Sequence, residues 1–182
     1  PWFPPSPNMP TLGTATVYPG LCLLEGTKLS EGRGTTTPFE VFGAPFVHPF
    51  EFAAALTGLG LPGVAFRPHV FEPTFQKHAH TACGGVQIII SDRAAFRPVA
   101  LGIAILAVLW RLYPQSSQLR TAVYEYEHDR RAIDLLLGEP GLFERIVAGQ
   151  PIGELTGSFA EAEAAFSRAR APWLLYPETE IR

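Results

Sequence analysis

The spacing of hydrophobic positions changes partway along the chain. In the first half the apolar residues alternate or come in short β-branched runs, as strands require; in the last third they recur every three to four residues, as helices require. ATVYPGLCLL (15–24) has the β-branched and aromatic content of a strand, and Pro19 and Gly20 predict an edge or bulged one. FEVFG (39–43) predicts a short strand, and HPFEFAAALTGLGLPG (48–63) a helix with Pro49 in its first turn and a glycine-rich stop. VAFRPHVFEPTF (64–75) reads as extended, with Pro68 interrupting it. CGGVQIIISD (83–92) is the clearest buried strand: Val86, Ile88, Ile89 and Ile90 follow two glycines and precede Ser91-Asp92.

Asp92 is placed to cap a helix from about Ala94 to Tyr113, where Pro114 ends it. RAIDLLLG, GLFERIVAGQ and GELTGSFAEAEAAFSRARAPWLLY continue as helices, and in the last Leu155, Phe159, Ala162 and Phe166 recur at helical spacing. Strands early and helices late predict an α+β fold with one mixed β-sheet in the first half and a helical carboxy-terminal third. The longest uncharged apolar run, Val99 to Trp110, would make a helix about 18 Å long, too short for a hydrocarbon core about 30 Å thick. A buried core helix is the expectation.

Composition narrows the class. The 182 residues are 47% hydrophobic and 17% charged, with 18 prolines and 17 glycines, which suits one dense domain with irregular connections. PWFPPSPNMP reads as the proline-rich start of an interdomain linker, residues 1–14, leaving a single α+β domain over 15–182. A net charge of −3 provides no broad basic field, which argues against a nucleic-acid partner. Cys22 and Cys83 are too few for a disulfide scaffold, though a single bridge between them stays open. QKHAHTACGG places His78 and His80 near Cys83, but no second cluster completes a metal set, and neither metal nor other cofactor is expected.

The segment most suggestive of chemistry is LLEGTKLSEGRGTTTPFE, Leu23 to Glu40, which interrupts two apolar runs with small and charged residues. Ordered connections of this length are more often functional than idle. CLLEGTKLSEGRGT, with the preceding PPSPNMPTLGTATVYPG and the later FEPTFQKHAHTACGGVQI and YEYEHDRRAIDLLLG, resembles the carboxy-terminal domain of the NamZ-type exo-β-N-acetylmuramidases. That resemblance extends over essentially the whole chain. It implies a Rossmann-like amino-terminal domain as partner, a cleft where the two domains meet, and release of N-acetylmuramic acid from the non-reducing ends of peptidoglycan fragments. It also implies an exported protein, periplasmic or extracellular. Lys28 departs from the family pattern, which usually carries Asn there.

Glycosidic bonds are usually cleaved between two carboxyl groups, so Glu25 and Glu31 are the candidate catalytic residues; alternatively, Glu25 braces the loop. Arg33, between two glycines, could bind a lactyl carboxylate through two parallel hydrogen bonds, or pair with Glu25 or Glu31. Ser30 and Thr35 on the same loop, and Phe75, Lys77 and His78 on FEPTFQKH, complete the candidate substrate-binding set. The run Tyr124 to Asp129 reads either as a cleft rim or as a solvated edge strand. An uncovered interdomain face would expose Trp2, Phe3 and Phe46. Two other functions fit the same residues: a non-catalytic cell-wall sugar-binding module and a structural interaction domain.

Overall fold

The computed structural model describes residues 1–157 and 159–175. The architecture is α+β. A three-stranded sheet in the order β1-β3-β2 combines β1 (Val41–Ala44), β2 (Val64–Phe71) and β3 (Cys83–Ile90). Both pairings are antiparallel, with Val41 opposite Gln87 and Phe71 opposite Cys83. The expected mixed sheet is thus corrected to an antiparallel one, because β2 turns straight back into β3 and the helix between β1 and β2 joins strands that are not neighbours.

The segment expected to be the first strand is a helix. α1 (Leu12–Leu21) begins where the Thr11 hydroxyl accepts a hydrogen bond from the Thr14 amide, and it starts inside the stretch assigned to the linker. Its β-branched residues and Pro19 would disfavour a helix in isolation. Packing overrides that preference: Gly20 lies against α3 (Pro98–Leu112) so closely that a Cβ would sit 1.8 Å from the Pro98 carbonyl oxygen. A 3-10 turn, Cys22–Gly26, continues α1 and carries Glu25 to the start of the glycine-rich segment.

α2 (Pro49–Thr57) matches the expected helix and buries Phe52, Ala53 and Leu56. α3 begins four residues later than expected. Asp92 accepts instead from the amides of Ala94 and Ala95, closing a turn. Pro98 then fixes the helix start, because the residue before a proline is driven out of the helical region and Arg97 is extended. As expected, α3 is the buried centre of the core, with Leu101, Ile103, Ile105, Leu106, Val108 and Leu109 enclosed. Among the described residues no helix is long and apolar enough to cross a membrane.

Four shorter helices follow: α4 (Ala132–Leu137), α5 (Leu142–Val147), α6 (Ile152–Leu155) and α7 (Phe159–Arg170). The single carboxy-terminal helix suggested by the spacing of Leu155, Phe159 and Phe166 is split between α6 and α7. Leu155 is buried and Phe159 packs on the core, but Phe166 is exposed; Tyr176, the end of that expected helix, lies outside the described residues. Both cysteines are free thiols, and the Cys83 thiol is pushed up to about 11 by burial and by Glu72. Trp2 and Phe3 are exposed as expected; Phe46 is not, because its ring packs against the core and edge-on to Tyr113.

Candidate functional site

The segment from Glu25 to Glu40 has almost no regular structure, yet it is closely fixed. Gly32 and Gly34 have φ of +77° and +85°, a region in which side chains are strained, and a Cβ on Gly34 would lie 2.6 Å from the Phe75 carbonyl oxygen. The Thr74 amide and hydroxyl both donate to the Gly34 carbonyl, tying this loop to residues 72–82. Ser30 pairs through its backbone with Gly43, and its hydroxyl accepts from the Gly32 amide. The Thr35 hydroxyl donates to the Gly32 carbonyl. Ser30 and Thr35 therefore hold the loop's own backbone.

The loop places charges in alternation. Glu25 Oε1 accepts from Arg33 Nη2 at 2.5 Å, Arg33 Nε reaches Glu31 Oε1 at 3.2 Å, and Glu31 Oε2 accepts from Lys77 Nζ at 2.8 Å. Lys77 also donates to the carbonyls of Leu24 and Leu29, so its three N–H bonds have three acceptors. The chain runs from partly open to closed: side-chain exposure is 26% for Arg33 and 13% for Glu25, but 4% for Glu31. Burial pushes the Lys77 ammonium below the usual lysine range, against the opposing pull of Glu31. Burial also weighs against the Arg33 charge, but Glu25 and Glu31 outweigh it and leave the guanidinium more basic than usual.

Aromatic rings enclose the open end. The Arg33 guanidinium carbon lies 5.1 Å from the centre of the Phe39 ring, and Tyr18 meets that ring edge-on at 4.9 Å. Phe39 has φ of +63°, a left-handed backbone that is strained for a residue with a side chain. The Tyr124 hydroxyl donates to Glu25 Oε2 at 3.2 Å, and burial and the nearby Glu25 push it up to about 12. Tyr124 lies outside the three strands of the sheet, so the expected edge strand is not formed. It begins a tight turn in which Glu125 and Tyr126 are both left-handed, as two-residue hairpin turns demand.

The structure thus brings together Glu25, Glu31, Arg33 and Lys77, while Phe75 and His78 sit apart from the ion chain. Phe75 is half exposed, and His78 Nε2 lies 2.8 Å from the Lys28 carbonyl oxygen, linking the two loops. Tyr18, Phe39 and Arg120 are the neighbours that sequence reasoning missed. The strain at Phe39 has no signal in its residue type, and Tyr18 was assigned to a strand. Among the described residues no group of three or more His, Cys, Asp or Glu could hold a metal ion. Chemically, both oxygens of Glu25 already accept hydrogen bonds, an arrangement suited to orienting a water or a sugar hydroxyl or to countering positive charge. Glu31, enclosed by two cations, acts as the anchor of the chain.

A family model described as exo-β-N-acetylmuramidase NamZ, C-terminal, matches residues 16–176. The peptidoglycan β-N-acetylmuramidase NamZ of Bacillus subtilis (strain 168) is 39% identical over 176 residues, which are 97% of this chain and 41% of that protein. Crystal structures of two DUF1343 family proteins from Bacteroides fragilis share the fold, with TM-scores of 0.78 and 0.66 at 29% and 25% identity. They are matched over 96% and 97% of this chain and over 45% and 44% of their own. The chain therefore spans less than half the length of each of these relatives. With the family model matched across nearly all of its length, the chain belongs to the NamZ exo-β-N-acetylmuramidase family, as the carboxy-terminal domain.

Proposed function

We propose that this chain forms one wall of the sugar cleft of an exo-β-N-acetylmuramidase and positions the terminal N-acetylmuramic acid of a peptidoglycan fragment for hydrolysis. On this reading a Rossmann-like domain precedes it and supplies the opposite wall. The enzyme is exported and acts on cell-wall material. The observation that carries the reading is the setting of Glu25, a partly exposed carboxylate held by Arg33 on one oxygen and Tyr124 on the other. Hydrolysis needs one group to protonate the leaving oxygen and another to activate water or stabilise the cationic sugar. Glu25 suits the second task, and the facing domain provides the proton donor.

The test joins this chain to the amino-terminal portion of its Bacillus subtilis relative and measures release of N-acetylmuramic acid from a defined disaccharide. The joined protein should hydrolyse the substrate and the chain alone should not. Glu25→Gln in the joined protein should lower kcat by about 100-fold or more, in the range for loss of a positioned acid-base group. Full activity of the chain alone, or an unchanged kcat in Glu25→Gln, would overturn the reading.

A further inference from the structure

The backbone around Lys77 is strained on both sides. Gln76 and His78 have φ of +69° and +58°, left-handed conformations that residues with side chains adopt at a cost and keep only where their surroundings impose them. Between them the Lys77 side chain leaves the 72–82 connection and turns inward, where Nζ donates to the carbonyls of Leu24 and Leu29, which flank Glu25 in sequence, and to Glu31 Oε2. Burial works against the ammonium charge, and Glu31 is its largest counterweight. The two buried charges therefore depend on each other.

Arg33 is shared in a way that this pairing explains. Nε and Nη2 form the edge of a guanidinium that ordinarily grips both oxygens of one carboxylate. Here that edge is divided: Nη2 lies 2.5 Å from Glu25 Oε1, and Nε lies 3.2 Å from Glu31 Oε1. The second oxygen of Glu31 is taken by Lys77 at 2.8 Å, which leaves one tooth of the fork for Glu25. Charge favours the same division. Two carboxylates face two cations, and Glu31, with 4% side-chain exposure against 13% for Glu25, is the carboxylate that water can serve least. Without the Lys77 charge, the attraction of Arg33 to the less solvated Glu31 would exceed its attraction to Glu25, and the whole fork would close on Glu31.

We propose that Lys77 is a positioning residue for hydrolysis: by satisfying Glu31 it keeps Arg33 on Glu25, and so holds the Glu25 carboxylate in place against the sugar. Resting on the muramidase reading, in which Glu25 meets the substrate, Lys77 acts through Glu31 and Arg33 and does not itself touch the sugar.

The 182-residue chain, isotope-labelled, is tested by NMR for couplings across the hydrogen bonds between the Arg33 guanidinium nitrogens and the carboxyl carbons of Glu25 and Glu31. The parent should show coupling to both. Lys77→Met should lose the coupling to Glu25 and keep that to Glu31. Lys77→Met combined with Glu31→Gln should regain the coupling to Glu25, because a neutral amide no longer competes for the guanidinium. In the joined protein, Lys77→Met should lower kcat by about 10- to 100-fold, as when a reacting group is displaced by about 1 Å, and change KM by less than about twofold. The double variant should recover most of that loss, whereas a lysine that only fastened two loops would leave it no better than the single one. Coupling to Glu25 that survives in Lys77→Met, or a folded double variant that lacks it, overturns the proposal, and the second result is decisive even where Lys77→Met alone does not fold. Failure of the joined parent to hydrolyse a disaccharide would overturn the muramidase reading alone, since the couplings are read without substrate. An active joined protein whose kcat is unchanged by Lys77→Met would overturn the positioning role alone.

Discussion

The Tyr124 hydroxyl joins two kinds of behaviour at one atom: it hydrogen-bonds to Glu25 and it resists ionisation. Burial and the Glu25 charge raise its folded-state pKa to about 12, above the ordinary 10.0. Between those values the folded protein retains a proton that the unfolded chain loses, so the contribution to stability is fully present below pH 10 and is lost as pH rises toward 12. Tyr124→Phe should remove the last tyrosine step from an ultraviolet titration and reduce the decline in stability over that window. Near neutrality its cost should be about 1 kcal/mol, the ordinary worth of a partly exposed hydrogen bond. A tyrosine step near 12 that persists in the variant would assign that ionisation to another residue. Lys77 shows the other side of residue-scale legibility: its residue type suggested a group directed at substrate, whereas three internal acceptors make it the pin between two loops.

At the scale of elements, the crossing of α1 and α3 decides where Glu25 lies. The two helices approach through Gly20 and Gly102, and a Cβ on Gly102 would stand 2.3 Å from the Gly20 carbonyl oxygen. Neither backbone can yield without moving the 3-10 turn that follows α1. Gly20→Ala should therefore destabilise the protein by about 3 kcal/mol, at the upper end of ordinary overpacking costs, as read by urea unfolding. Its chemical-shift changes should extend to Glu25 and Arg33. A variant as stable as the parent would show that the helices can separate without penalty. The misread first strand belongs at this scale too, since Thr16, Val17 and Pro19 carry strand and breaker signals that the contact with α3 overrides.

Across the whole molecule, stability is distributed unevenly. One hydrophobic cluster links α1, the sheet, α2, α3 and the helices through α6, but α7 buries none of its residues. Isolated helices of that length are marginal in water. Hydrogen exchange should therefore show α7 amides unprotected within minutes, while those of Leu101 to Leu109 in α3 exchange only on global unfolding. Equal protection in both would mean that α7 is held by a contact outside the domain core. The ion chain lies at the opposite extreme, fixed by loops that are themselves tied to β1 and to the 72–82 connection.

The sequence by itself determined what periodicity and local chemistry can encode. The β3 run, the α2 start at Pro49, the buried character of α3 and the α+β class all follow from residue spacing and punctuation. The EGT and SEGRGT blocks likewise carried the family resemblance and put Glu25, Glu31 and Arg33 on one loop. Tertiary structure decided the rest, because these outcomes rest on contacts between residues far apart in the chain. Arg33 meets Glu25 and Glu31, Lys77 turns inward from 46 residues away, and Tyr124 reaches Glu25 across 99 residues. The antiparallel sheet and the helical form of residues 12–21 have the same origin: a strand takes its direction from its partner, and a weak local preference yields to a close-packed neighbour.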